Sequence, residues 1–168
     1  YLVEPYDPLC SDDRGRIIMQ RLQGGIPPVR YLLNSVENKS GIFDNLSPGQ
    51  YIATFIDAIG CEIKDTIIIL PAAAFDVTVT NLIEIDKGAS VLVNYTATKG
   101  QIQNIRFDPN QDISQEGNAL RIMGTQDRDY TITFIDSNGC EVTHQIQLRI
   151  IDHEEFYIPN LFSPNHDN

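Results

Sequence analysis

The chain has 168 residues, with 23 Asp and Glu against 12 Lys and Arg and a net charge of −11. That balance excludes nucleic-acid binding and adhesion to anionic membranes, which both need basic patches. No apolar run approaches the ~18 residues that a transmembrane helix needs, and YLVEPYDPLC lacks the basic and apolar regions of a signal peptide.

Residues 1–9 read as the end of a preceding module or a linker. Beyond them, helical periodicity is nearly absent. Short alternating apolar runs are cut by Gly, Pro, Asn and Asp. Strands are predicted at 16–22, 29–33, 41–43, 50–57 and 62–70, with turns at 24–28, 47–49 and 58–60. Pro71-Ala72-Ala73-Ala74 is a short junction, because Pro stops the strand before it. A second set is predicted at 75–81, 90–97, 102–107, 118–122, 128–136 and 141–150. Strands at this spacing, with turn residues between them, indicate antiparallel β-sandwiches. The polar stretch Asp152-His153-Glu154-Glu155 then separates a new segment that starts at Phe156. The expected organisation is all-β: one Ig-like module at 10–72, a second at 73–151, and a linker with the start of another domain at 152–168.

A repeat supports this division. YIATFIDAIGCEIKDTIIIL, from Tyr51, returns without a gap as YTITFIDSNGCEVTHQIQLR, from Tyr130. A repeat on a domain-sized offset means tandem modules. Alternation places Tyr51, Ala53 and Phe55 inward in the first copy, and Tyr130, Ile132 and Phe134 inward in the second. Leu46-x-x-Gly49-x-Tyr51 has the form of a tyrosine corner, in which the phenol bonds back to nearby backbone.

No catalytic constellation emerges, and no enzyme is expected. His144 sits in a predicted strand, at a surface or edge position. His153-Glu154-Glu155 lacks the spacing of a zinc protease motif, and His166 stands in a loop. No nucleophile elbow, P-loop or dinucleotide fingerprint occurs. The metal candidates are for calcium: Asp12 and Asp13 with Asp57 or Asp65, and Asp167 with Asn165 and Asn168. No cofactor is otherwise expected.

Residues 10–70 resemble the SprB repeat of Bacteroidetes cell-surface proteins. The matching positions are Cys10, Gly15, Gly24-Gly25-x-Pro27-Pro28-x-x-Tyr31, Leu46-x-x-Gly49-x-Tyr51 and Asp57-x-x-Gly60-Cys61. Val29 stands where that family usually has a Tyr. The tail resembles the opening of the gliding-motility-associated C-terminal domain, through Tyr157, Ile158, Pro159, Asn160, Phe162, Ser163, Pro164, Asn165 and Asp167. His166 and Asn168 replace two of its glycines. Residues 75–150 are similar to the Ig-like module that precedes that domain, through Tyr130, Asp136, Gly139 and Cys140. Asp65-Thr66-Ile67 resembles a short Bacteroidetes O-glycosylation acceptor. These resemblances imply an excerpt from a large extracellular protein whose C-terminus is a type B sorting signal for type IX secretion. The modules would then be spacers of an adhesin used in gliding, attachment or prey capture. A subunit of an extracellular filament or hook is one alternative, and an accessory region of a secreted enzyme is another. The implied partners are type IX secretion components, neighbouring modules and copies of the chain, with no nucleic acid and no membrane insertion.

The three cysteines are Cys10, Cys61 and Cys140. Cys61 and Cys140 hold the same place in successive copies and are not expected to meet. Cys10 reads as opening the first strand of its module and Cys61 the last. Those strands run parallel in a seven-strand sandwich, so a Cys10–Cys61 disulfide is expected. It would close a loop of about 50 residues, worth roughly 4 kcal/mol by chain entropy, and would fit an oxidising exterior. Cys140 is left over, either as a buried thiol or for an intermolecular bridge.

Overall fold

The structure is a computed structural model and describes residues 1–151. The sorting-like motif (Tyr157, Pro159, Asn160, Phe162, Pro164, Asn165, Asp167), His153 and His166 lie outside the described residues. Among the described residues every regular element is a strand, and the architecture is all-β. By contact the chain divides into two compact units. The first is Tyr1–Thr78 with Thr96–Arg106 and Thr133–Thr143. The second is Val79–Tyr95 and Phe107–Ile132 with residues 144–151.

In the first unit, β1 (Leu2–Tyr6), β2 (Gly15–Gln20) and β5 (Ile42–Leu46) form one sheet, in the order β1-β2-β5. β3 (Arg30–Leu33), β4 (Val36–Glu37), β6 (Gly49–Ile56) and β7 (Glu62–Ile69) form the other, in the order β4-β3-β6-β7. Both sheets supply one core: Ile17 and Met19 from β2, Phe43 from β5, Leu33 from β3, Ala53 and Phe55 from β6, and Ile69 from β7. The inward face predicted for β6 is buried, with Ala53 and Phe55 in the core and Tyr51 packed against it; on the other face Ile52 is exposed but Thr54 is buried as well.

The first strand corrects the reading of residues 1–9. They are neither a linker nor the end of another module. Leu2–Tyr6 pairs antiparallel with β2, from Leu2 opposite Gln20 to Tyr6 opposite Arg16. Pro5 hid the strand, because Pro cannot donate to a ladder. β1 is an edge strand, where that loss is tolerated.

The remaining strands are β8 (Asp76–Val79), β9 (Leu82–Asp86), β10 (Ser90–Lys99), β11 (Ile102–Asp108), β12 (Ile113–Glu116), β13 (Ala119–Met123), β14 (Arg128–Asp136) and β15 (Glu141–Ile151). They form two sheets, in the orders β12-β13-β10-β8 and β11-β14-β15-β9. In the second unit both sheets bury apolar residues: Val93, Tyr95, Leu120 and Ile122 from one, and Ile83, Tyr130, Ile132, Ile146 and Leu148 from the other. β9 and β12 were not anticipated. β9 pairs parallel with β15, from Leu82 opposite Gln147 to Asp86 opposite Ile151, a long-range partnership that local alternation does not announce. His144 is half-buried in β15, three residues before that strand begins to pair with β9 at Gln147.

Candidate functional site: the Gly-Cys turns and the cysteine loop

The repeat is, atom for atom, a repeated turn. After β6, the Asp57 carboxylate Oδ1 accepts from the backbone N–H of Ile59 at 3.0 Å and of Cys61 at 2.9 Å. After β14, Asp136 Oδ1 accepts from Asn138 and Cys140 N–H, both at 2.8 Å. Each Asp N–H donates to the carbonyl of its cysteine, and each glycine N–H donates to the carbonyl of its Asp. Gly60 and Gly139 have φ of 86° and 84°, a left-handed conformation that disfavours a side chain. Phe-Ile-Asp-x-x-Gly-Cys therefore recurs for a local reason. The Phe enters the core, the Asp satisfies the turn's backbone donors, and the Gly permits its curvature.

Asp57 accepts a further bond from Ile26 N–H at 3.2 Å and is itself buried. These backbone donors, Cys61 N–H first, hold its carboxyl below the usual carboxylate range. A group depressed in the folded state adds stability above its unfolded pKa, near ~4. That stability is lost as the pH falls through the lower folded value. Native protein should therefore lose stability on acidification from about pH 5 downward, and Asp57→Asn should lose less over the same window. Chaotrope unfolding midpoints of both proteins at neutral and acid pH check this, and parallel losses would count against it.

The cysteine loop follows β1. Asp13 N–H donates to the Cys10 carbonyl, and Cys10 N–H donates to Asp13 Oδ2, both at 2.9 Å. Cys10 is bonded not to Cys61 but to Cys140, with a Cα–Cα distance of 5.3 Å, while Cys61 is exposed and free. The physical reason is the unanticipated first strand. Cys10 follows that strand instead of opening one. Asp7 Oδ1 accepts from Leu70 N–H at 2.7 Å, which puts the loop at the far end of β7. Cys61 precedes β7, and an eight-residue strand spans roughly 25 Å at ~3.3 Å per residue. A disulfide needs Cα atoms within about 7 Å.

The same geometry separates the calcium candidates. Asp12 and Asp13 border an open depression of about 530 Å³ with Tyr6, Asp7, Arg16 and Asp44. Asp13 is engaged by Cys10, and Asp44 is ion-paired to Arg16. Asp57 is tied up in its turn at the other end of β7. Asp65, within β7, accepts from Thr66 N–H. Among the described residues no three His, Cys, Asp or Glu side chains converge on a metal position. Asp167 lies outside the described residues. Tyr51 does form the corner, its Oη donating to the Ser47 carbonyl at 2.7 Å. Tyr130 reaches further, donating to the Gln111 carbonyl at 3.1 Å.

No protein-family model matches the chain, and no curated protein does. Solved structures do. The two tandem V-type regions of VCBP3, a v-region-containing chitin-binding protein, are similar at 8% identity and a TM-score of 0.41, over 89% of this chain and 100% of that one. The N-terminal Ig1-2 module of the Drosophila receptor protein tyrosine phosphatase DLAR is similar at 13% identity and a TM-score of 0.40, over 90% and 100%. The N-terminal eight Ig domains of Down syndrome cell adhesion molecule are similar at 11% identity and a TM-score of 0.41, over 90% and 25%.

The Cys10–Cys140 disulfide fits an oxidising, extracellular setting. No described helix is long and apolar enough to cross a membrane. Cys61 could be singled out only after the pairing was known, because the repeat makes Cys61 and Cys140 equivalent and Cys10 can join one of them.

Proposed function

We propose that this chain is a structural and adhesive segment of a large extracellular protein, its β-sandwich modules serving as spacers near the C-terminus of a Bacteroidetes surface adhesin exported by type IX secretion. One observation carries the reading: most of what the repeat preserves is framework. The repeated Phe fills the core, the repeated Asp and Gly make the turn, and the second repeated Cys is held in a disulfide. Selection for framework, copied in tandem, suits a part whose task is length and mechanical continuity and not turnover. The segment from Tyr157 to Asp167 would begin the sorting domain, with type IX components as its partners. Neighbouring modules or copies of the chain would be the others. Protease shaving of intact cells tests this. The full-length protein should be digested at the surface of a secretion-competent strain and protected in one lacking the type IX translocon, and cells without the gene should attach or glide less. Protection in both strains, or hydrolysis of a polysaccharide or peptide by the purified chain, would overturn it.

A further inference from the structure

The two Gly-Cys turns share their hydrogen bonds but differ at the residue before the glycine. Ile59 precedes Gly60, and Asn138 precedes Gly139. Asn138 is exposed, and it is the one asparagine of the chain that is followed by glycine. Asparagine is a labile residue, because its side-chain amide carbon lies within reach of the next backbone nitrogen. The side chain of that next residue normally hinders the approach, and Gly139 has none. Beyond its chain neighbours, no atom lies within 4 Å of where a Cβ of Gly139 would stand. The space around the attacking nitrogen is therefore open.

Other asparagines are placed differently. Asn34 Oδ1 accepts from Ile52 N–H, Asn38 Oδ1 from Ser40 N–H and Asn104 Oδ1 from Ile105 N–H, each at 2.8 Å. Their amides are held, and a residue with a side chain follows each of them. Asn138 is bonded through its backbone, whose N–H donates to Asp136 Oδ1 at 2.8 Å.

We propose that Asn138 is a self-modification site, where the side-chain amide closes on the Gly139 nitrogen and is converted to aspartate and isoaspartate. The Gly139 nitrogen loses its proton to solvent and attacks Asn138 Cγ. A C–N bond forms, the bond from Cγ to the amide nitrogen breaks, and ammonia leaves with a proton. The product is a five-membered succinimide. Water then adds to one of its two carbonyls. Opening at one carbonyl gives aspartate, and opening at the other gives isoaspartate, whose backbone runs through Cβ. No oxidant is needed, and water is the only co-reactant. The turn restrains the first step, because Gly139 N–H donates to the Asp136 carbonyl at 3.2 Å and must leave it to attack.

The product alters the turn that carries the disulfide. Isoaspartate adds one atom to the backbone between Ser137 and Gly139. Asp136 Oδ1 can then no longer reach both the N–H of residue 138 and that of Cys140, which it now holds at 2.8 Å. Either product also sets a new carboxylate near that of Asp136. The Cys61 turn has Ile59 at the equivalent place and keeps its form. The two copies of one motif thus age differently.

Peptide mapping tests this. The 168-residue chain is incubated at neutral and mildly alkaline pH, folded and in denaturant, then digested and analysed by mass spectrometry. The peptide with Asn138 should gain the mass difference between an amide and an acid, and should split into two isomers, one of them isoaspartate. Conversion should be faster at the higher pH, where more of the nitrogen is deprotonated. In the folded chain it should be about fivefold slower than in denaturant, the effect of one hydrogen bond. It should still outpace every other asparagine of the folded chain. Asn138→Ser should leave the mass of that peptide unchanged. An intact Asn138 in a folded chain whose other asparagines convert would overturn the proposal, as would aspartate without isoaspartate. Equal rates in the folded and unfolded chain would remove the restraint assigned to the turn.

Discussion

Replacing Cys10 by serine is expected to lower stability by up to about 5 kcal/mol, the chain-entropy value for so long a loop. The bridge joins residues separated by 130 in sequence. Unbridged, the unfolded chain regains the freedom of that whole span, which is most of the described molecule. Cys140→Ser should lose a similar amount, because both changes remove one bond. Cys61→Ser should lose almost nothing, since that thiol is exposed and free. Chemical unfolding of the three variants, followed by circular dichroism with and without reductant, separates the cases. Reductant should lower native protein to the level of Cys10→Ser and leave that variant unmoved. A loss carried by Cys61→Ser instead would restore the Cys10–Cys61 pairing.

Phe55→Ala should cost ~3–5 kcal/mol, the range for deleting a large buried aromatic. Phe55 is 1% exposed and shares its core with Ile17, Met19, Leu33, Phe43, Ala53 and Ile69. Tyr1 stacks on it at a tilt, and Tyr31 meets it edge-on at 5.8 Å. Alanine would leave a void bounded by both sheets, which hydrogen-bonded strands cannot collapse to fill. Ile52 is a near neighbour on the same strand and 50% exposed on the other face, so Ile52→Ala should change stability by less than about 0.5 kcal/mol. Equal losses would mean that the alternation of β6 is misassigned.

Much of the architecture could be read from residues alone because its signals are local. Period-two alternation points Phe55 and Phe134 inward, and both are buried. The Leu46-x-x-Gly49-x-Tyr51 pattern carries its own hydrogen bond, closed over four residues. Asp57 and Asp136 each bond to backbone within four residues, so the repeat of Asp-x-x-Gly-Cys encodes the hydrogen bonds that both turns share. What stayed hidden depends on partners distant in sequence. Leu2–Tyr6 is a strand because β2 is there to pair with it, despite Pro5. Leu82–Asp86 is a strand because β15 lies alongside it.

The cysteines divide along the same line. That Cys61 and Cys140 occupy twin turns follows from their flanking residues, whose shared turn hydrogen bonds span no more than four positions. Which of the two takes Cys10 depends on the end of the sandwich at which the loop emerges. The direction of β1 and the Asp7–Leu70 bond set that, over a separation of 63 residues. Local residues specify turns and faces because their partners are chain neighbours, whereas the covalent pairing had to await the packing of whole strands.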